Sequence, residues 1–347
     1  MNMARLERRA SVSLDTYIVD CAWAPSGAAI AVAGGEGAVV RVDGPAQAAT
    51  PRVLGEHALG VLSIAWRPDG AEIASSGQDG AVAFWHGDSG DERMRMRPGT
   101  AWTEHLAYSP NGKVLAAATG KTVSLWSAAG ERIHDFAQHS AAVTAIAWDK
   151  PGRDLAAATN GAMWVHRVEL PRVASRSLEW PAACLTAAFS PNGKVLASGM
   201  QDGSVHFWYL INRRDSQMRG YSSKVQLTAW SANSRYLLTS AGAEIVGWDF
   251  SGKGPEGSRA LQLVGHTERV ECLAAHPSGP WLASGGRDWR LVLWSPGKST
   301  RAIDAHLVDA EVSVLRWSPD GRFLAVGARN GQLAIYELVT SSASAAR

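Results

Sequence analysis

The sequence has few of the features on which redox, metal or membrane chemistry depends. It contains three cysteines, Cys21, Cys184 and Cys272, whose spacing fits neither a Cys-x-x-Cys pair nor a disulfide framework. It has no His-Glu-x-x-His motif and no Walker loop, and no apolar run approaches the roughly 18 residues that a transmembrane helix needs. We therefore expect unpaired core thiols, no metal and no cofactor.

Strong charge of either sign is also missing. The net charge is +2 and charged residues make up 19% of the chain, a balance that favours neither nucleic acid nor a membrane surface as a partner. Residues 1–14 carry charges but lack the apolar stretch of a signal peptide. The predicted location is the cytoplasm.

What the sequence does contain is an internal repeat. Eight units each hold an apolar run, a turn, a second apolar run, a small polar turn and a third run that usually ends in Trp. The last bulky position of the first run marks each unit, and these landmarks recur on average every 42 residues. The eight landmarks are Trp23, Trp66, Tyr108, Trp148, Phe189, Trp230, Ala275 and Trp317.

The turns and runs of each unit predict β-strands. Six of the eight first turns read Pro-x-Gly, as in Pro68-Asp69-Gly70. Pro presets the φ angle of a turn, and Gly accepts the positive φ that follows. The short runs, rich in Val, Ile, Leu and aromatics, are typical of strands, and a fourth, more polar strand fits in each gap. Four antiparallel strands every 42 residues predict one blade of a β-propeller.

These observations predict an all-β protein with a single closed propeller over residues 1–338 and a short disordered tail at 339–347. Eight blades are favoured over seven. Arg9 to Leu14 alternates in a way suited to a strand, so the N-terminal segment is predicted to supply the fourth strand of the last blade. The units are predicted to begin near residues 18, 61, 103, 143, 184, 225, 270 and 312.

Particular motifs resemble those of the WD-repeat family. They are Gly265-His266, the run Leu282 to Gly285, the turn residue Asp288 and the closing Trp294. The resemblance covers about residues 15 to 338, although the closing Asp of the family is present only at Asp249. The Ala-, Gly- and Arg-rich composition suggests a stand-alone bacterial member.

The resemblance implies a hydrogen-bonded set of His, Ser, Asp and Trp inside a blade. A catalytic triad would use similar residues, but a set that recurs with the repeat favours a structural role. The two complete sets are His57, Ser75, Asp79 and Trp85, and His266, Ser284, Asp288 and Trp294.

By the same resemblance, the loops before the first strands and the turns after the second strands line one face of the ring. Aromatic and Arg side chains there are typical of interface hot spots. The predicted partner-binding residues are Tyr17, Gln78, Trp102, Gln201, Lys224, Arg269, Arg287, Trp289 and Arg329.

The predicted function is a non-catalytic scaffold that binds a protein or peptide on this face and is a monomer until complexed. The alternative is an enzyme or a metal-handling accessory protein that uses the mouth of the channel. The loop with His306, Asp309 and Glu311 offers candidate metal ligands for that alternative, with His306 taken as the ordinary His of its repeat.

Overall fold

A computed structural model describes residues 4–44, 50–136, 139–252 and 254–340. Within these ranges every regular element is a β-strand, and the strands form eight antiparallel sheets. The described ranges contain no helix that is both long and apolar enough to cross a membrane.

Blades one to three follow the predicted order, from the inner strand to the outer one. Blade one holds β2 (Ile18–Trp23), β3 (Ala29–Gly34), β4 (Ala38–Asp43) and β5 (Thr50–Glu56). Blade two holds β6 (Val61–Trp66), β7 (Glu72–Gly77), β8 (Val82–His86) and β9 (Glu92–Met96). Blade three holds β10 (Thr103–Tyr108), β11 (Val114–Thr119), β12 (Thr122–Ser127) and β13 (Arg132–Phe136).

Blade four runs its two middle strands together. It holds β14 (Ala145–Trp148), β15 (Asp154–Glu169) and β16 (Arg172–Ala183). β15 doubles back at Gly161, which has a φ of 86°, and the Val168 N–H donates to the Arg153 carbonyl oxygen at 2.7 Å. The long element is therefore a tight hairpin of two strands, and the blade still has four strands.

Blades five to seven return to the simple pattern. Blade five holds β17 (Ala188–Phe189), β18 (Val195–Gly199), β19 (Val205–Tyr209) and β20 (Arg214–Met218). Blade six holds β21 (Leu227–Trp230), β22 (Tyr236–Ala241), β23 (Glu244–Asp249) and β24 (Leu261–Leu263). Blade seven holds β25 (Val270–Ala275), β26 (Leu282–Gly286), β27 (Arg290–Trp294) and β28 (Asp304–Leu307).

Blade eight is completed by the N-terminal strand. Its sheet has the order β1 (Ala4–Ser13), β31 (Gln332–Thr340), β30 (Phe323–Ala328) and β29 (Val312–Trp317). Register runs from Ala4 opposite Thr340 to Ser13 opposite Gln332. The predictions of eight blades and of N-terminal closure are confirmed. β31 continues two residues past the predicted boundary at 338, and the rest of the predicted tail, residues 341–347, lies outside the described residues.

The ring closes because each inner strand contacts the inner strands of both neighbouring blades. The apolar clusters lie between adjacent blades rather than within one. One of them, for example, joins Ala31 and Val39 of blade one to Val61 and Ile73 of blade two. A single blade cannot bury its own faces, so each blade is stable only when it packs against its neighbours in the ring.

Landmark tryptophans also join the blades by hydrogen bonds. Four of the five landmark indoles donate their N–H to the carbonyl oxygen of the residue just before the landmark of the preceding blade, and Trp66 is the exception. The donors are Trp23 (2.9 Å), Trp148 (3.0 Å), Trp230 (3.1 Å) and Trp317 (3.0 Å), which bind the carbonyls of Arg316, Ala107, Ala188 and Ala274.

The two ends of the ring differ in their turns. The end where the inner strands finish carries the Pro-x-Gly turns, and is called the proline face below. There Gly70 has a φ of 78°, and Ser234, in the unit without Pro, adopts 61°. The opposite end, where the inner strands begin, is called the rim face.

Candidate functional site

The two sets of loops predicted to share a face do meet at the rim face. In four blades the residue after the second strand donates its backbone N–H to the carbonyl oxygen of the residue just before the inner strand, and in blade five the equivalent bond lies two residues past β18 and five residues before β17. These pairs are Gly35 to Tyr17, Gln78 to Gly60, Gln201 to Ala183, Arg287 to Arg269 and Arg329 to Glu311, at 2.9 to 3.0 Å. These backbone hydrogen bonds therefore hold the two loops of a blade next to each other at the rim face.

Exposed aromatic side chains occur only on this face. The chain has 15 Trp, 6 Tyr and 6 Phe residues, all within the described ranges. Among them only Tyr17 (44%), Trp102 (52%) and Trp289 (52%) are exposed. Tyr17 lies across Gly35, with its hydroxyl 3.4 Å from the Gly35 carbonyl oxygen. The other Trp, Tyr and Phe side chains of the described chain are buried or half-buried, so the exposure of these three distinguishes the rim face.

Trp289 also has an unfavourable backbone conformation. Its φ is +59°, in the left-handed region that non-Gly residues rarely occupy. The equivalent turn residues Gly80, Gly203 and Gly331 have φ between 73° and 84°. A bulky side chain thus occupies a position suited to Gly, at a cost of about 1 kcal/mol.

The three predicted arginines are exposed but not free. Arg287 Nε lies 2.5 Å from Glu271 Oε1, and Arg269 contacts both Glu271 and Gln226. Similarly, Arg329 Nε lies 2.9 Å from Glu311 Oε2. Surface ion pairs of this kind add little stability, but they orient the guanidinium groups.

The nine candidates are not one contiguous patch. Arg269, Arg287 and Trp289 lie together on blade seven, and Lys224 and Arg269 line a shared cavity of about 140 Å³ between blades six and seven. The others are distributed around the ring. Tyr17 lies at blade one, Gln78 at blade two, Trp102 at blade three, Gln201 at blade five and Arg329 at blade eight.

The structure brings the four side chains of each predicted polar set together. In blade two, His57 Nδ1 lies 3.0 Å from Asp79 Oδ1, His57 Nε2 lies 2.9 Å from Ser75 Oγ, and Trp85 Nε1 donates to the same hydroxyl oxygen at 2.9 Å. Blade seven repeats this set: His266 Nε2 lies 2.8 Å from Ser284 Oγ. All groups are satisfied if Nδ1 carries the imidazole proton and Ser donates to Nε2.

Burial and hydrogen bonding shift the pKa values of His57 and Asp79 in the blade-two set. Burial lowers the pKa of His57, despite the neighbouring Asp79. Burial alone would raise the pKa of Asp79, but hydrogen bonds from the Ala81 N–H and from His57 outweigh it and lower that pKa. Ser75 is fully buried and already accepts the Trp85 N–H, so no substrate can reach it as a nucleophile.

Comparison with known proteins identifies the repeat. The family model of the WD domain, G-beta repeat, matches residues 49–86, 99–127, 176–209 and 257–295. That of the anaphase-promoting complex subunit 4 WD40 domain matches residues 289–345. The chain is a WD-repeat β-propeller.

This WD-repeat propeller matches only part of each of its relatives, which are longer proteins. It is 30% identical over 161 residues to cell division cycle 20.4, cofactor of APC complex, from Arabidopsis thaliana, covering 44% of this chain and 33% of the relative. It is 22% identical over 200 residues to actin-interacting protein 1 of Drosophila melanogaster, covering 56% and 32%. The chain therefore spans about a third of each relative's length.

A solved structure shows the same fold over nearly the whole propeller. The computationally designed Ika8 protein superposes with a TM-score of 0.78, covering 95% of this chain and 99% of the designed one. Because the two are only 18% identical, this likeness concerns the fold alone.

Two further polar sets in the WD-repeat propeller were missed from the sequence because other residue types form them. In blade six, the Tyr221 hydroxyl accepts the Trp248 indole N–H at 2.6 Å and lies 2.6 Å from Thr239 Oγ1. Tyr221 and Thr239 stand nine residues before and after the landmark Trp230, where complete repeats have His and Ser. Counting from the landmark could have found them.

Blade four of the WD-repeat propeller substitutes two histidines. His139 Nε2 lies 3.1 Å from His166 Nε2, and His166 Nδ1 lies 2.8 Å from Ser175 Oγ. Burial, with the nearby His139 and His134, lowers the pKa of His166 to about 3. This pair is therefore held neutral and structural at physiological pH.

The alternative metal ligands do not converge. His306 lies on the outer strand β28, where its Nε2 is 3.0 Å from Asp304 Oδ2, while Asp309 faces Arg8 and Glu311 faces Arg329. The assignment of His306 to the repeat's His position was wrong, because Val308 stands nine residues before Trp317. Across the part of the chain that the structure describes, no three His, Cys, Asp or Glu side chains are grouped to hold a metal ion.

Proposed function

We propose that this WD-repeat propeller is a non-catalytic scaffold that binds a protein or peptide partner on its rim face. The observation that carries the proposal is the confinement of exposed rings to that face: Tyr17, Trp102 and Trp289 are the exposed aromatic residues of the described chain. Rigid aromatic side chains bury much area on binding and lose little entropy, which makes them typical anchors of interfaces.

The backbone at Trp289 supports the same conclusion. A Gly would relieve its positive φ, so the Trp is retained against the local preference of the turn. Strained backbone of this kind clusters at binding and active sites, where the surrounding structure holds it in place. Arg269 and Arg287 lie on the same blade, oriented by Glu271. Blade seven is therefore the proposed centre of the contact.

The relatives act through other proteins, as their names state: one is a cofactor of the APC complex and another interacts with actin. That pattern supports protein binding as the general role of this chain. The thiols support a non-catalytic role. Burial raises the pKa of Cys21 to about 12, of Cys184 to about 11 and of Cys272 to about 12, so none is a nucleophile at neutral pH.

The test is quantitative affinity capture with crosslinking from the native host, comparing the wild type with two rim variants and a control. Trp289→Gly and Trp102→Ala each remove an exposed ring, and Trp289→Gly should leave stability unchanged or raise it by up to about 1 kcal/mol. The control, Ile211→Ser, removes an 80% exposed apolar side chain at the proline face.

We expect proteins that are enriched by the wild type to be retained by Ile211→Ser and lost by both Trp variants. A set of captured proteins that is the same for all four chains would reject the rim face. Melting curves of each variant show whether a loss of binding reflects unfolding.

A further inference from the structure

One inner-strand position breaks the symmetry of the ring. The residue just before the landmark is Arg316 in blade eight and Ala in the other seven blades. These alanines are Ala22, Ala65, Ala107, Ala147, Ala188, Ala229 and Ala274. All are partly exposed although they lie on the innermost strands, so this position faces the central channel.

Arg316 is half-exposed, with 49% of its side chain accessible. Its Nη2 donates to Asp20 Oδ1 at 2.8 Å, and its Nη1 donates to the Leu315 carbonyl oxygen at 3.1 Å. A guanidinium has five N–H donors, so three have no partner among the described residues. Asp20 is held in turn by the Cys21 N–H at 2.9 Å. Asp20 therefore fixes one edge of the guanidinium and leaves the rest available.

The free edge of Arg316 borders a cavity of about 530 Å³ at the proline face. Its walls are the rings of Trp23, Trp66, Tyr108 and Trp317 together with prolines of the turns. Arg316 is the only charged side chain among the lining residues. The volume falls within the roughly 300–1,000 Å³ of small-molecule sites, and the cavity opens widely to solvent, so a ligand bound there keeps part of its surface exposed.

A second donor in the cavity wall is also unpaired. The indole N–H of Trp66 is buried and has no hydrogen-bond partner in the described chain. The corresponding indoles of Trp23 and Trp317, which also line the cavity, donate to the preceding blade. Because this N–H is itself shielded from solvent, Trp66 meets the cavity with its apolar ring rather than with a hydrogen-bond donor.

We propose that this cavity binds a small organic carboxylate with an apolar or aromatic body. The carboxylate pairs with the free edge of Arg316, since guanidinium and carboxylate form parallel, charge-assisted hydrogen bonds. The apolar body packs against the aromatic walls. This site lies on the face opposite the proposed partner-binding surface and does not depend on it.

A simpler role for Arg316 is to join blade eight to blade one through Asp20. That role requires no ligand and gives no preference for a carboxylate over a neutral analogue. The two roles also differ at Asp20. Neutralising it as Asn removes a competing negative charge and should tighten binding of a carboxylate, whereas a purely structural pair would only be weakened.

The experiment is a titration of the folded chain with 3-phenylpropionate and with its neutral amide, followed by the indole N–H resonances of ¹⁵N-Trp-labelled protein. Trp66→Phe assigns the Trp66 signal. We expect a saturable shift at Trp66 and at least about tenfold tighter binding of the carboxylate than of the amide. Arg316→Ala, which restores the residue of the other seven blades, should reduce that ratio to about one, and Arg316→Gln serves if the Ala variant does not fold.

Equal binding of acid and amide, no saturable shift, or a ratio that survives in Arg316→Ala would each overturn the proposal. A pentaglycine-phenylalanine peptide with a free carboxylate is tested alongside, and binding of the peptide alone would overturn the assignment to a small molecule. Trp289→Gly should bind 3-phenylpropionate like the wild type. A failure at the rim face is thereby distinguished from a failure at this cavity.

Discussion

Removing the imidazole of His266 tests the polar set of blade seven. In His266→Ala, the fully buried Ser284 hydroxyl loses its acceptor, although it still accepts the Trp294 N–H at 2.8 Å. Asp288 keeps the Thr267 N–H at 2.8 Å and the Arg290 N–H at 3.2 Å. The unpaired hydroxyl costs about 1–3 kcal/mol. With the space left by the ring, the expected loss is about 2–4 kcal/mol of unfolding free energy.

Urea unfolding followed by tryptophan fluorescence measures this loss, provided the slope with denaturant stays constant between variants. The matched control is His306→Ala, because His306 lies on an outer strand and is partly exposed; it should cost less than about 1 kcal/mol. Adding Ser284→Ala to His266→Ala should cost less than the sum of the single variants, since both partners are then gone. If His266→Ala were as stable as His306→Ala, the set would not contribute to stability and the reasoning would fail.

Three other predictions concern closure, the blade-to-blade bonds and pH. Leu6→Ala should lower the unfolding free energy by about 2–5 kcal/mol, because the Leu6 side chain is 2% exposed and packs against blades seven and eight. Ser11→Ala, at an exposed position of the same strand, is the control in calorimetry. Equal melting temperatures of the two variants would contradict closure by this strand. Trp148→Phe loses an indole bond to Ala107, whereas Trp66→Phe loses none, so the former should be about 1 kcal/mol more destabilising in urea. The pKa of His166 is lowered from 6.5 to about 3, so the unfolded chain binds this proton first on acidification. Stability should be complete above pH 6.5 and fall below it by up to about 1.4 kcal/mol per pH unit from this group. His166→Gln should flatten the dependence between pH 7 and 5, and an unchanged slope would show that another group titrates.

The repeat made the fold predictable because each strand and turn has a local signal. The Pro-x-Gly turns end the inner strands, and the alternation in Arg9 to Leu14 was sufficient to place the closing strand, whose observed range is Ala4–Ser13. Blade four was the exception, since its two middle strands join through the tight turn at Gly161 and form one continuous element, β15. That the two sets of rim loops share a face was predicted from the family resemblance rather than from the repeat itself.

The details of the sites depend on side-chain pairings between separate strands and turns, which a local pattern does not encode. Arg287, in a turn of blade seven, pairs with Glu271 on β25 of the same blade, and Arg316 of blade eight pairs with Asp20 of blade one. The error at His306 arose because two added loop residues shift the count from the landmark. Arg316 itself was visible in the sequence as a departure from seven alanines, but only the channel geometry shows why that departure matters.

The pairing of β1 with β31 has a consequence for how the protein is made. β1 leaves the ribosome before the other strands of the ring and finds its partner only after the last blade has been synthesised, so its apolar residues stay unpaired while all eight inner strands are made. A ribosome that stalls before residue 332 releases a chain whose earlier blades can form but whose ring stays open. Such an arc exposes unsatisfied β-edges and apolar surface, the features that chaperones and proteases recognise in incomplete products.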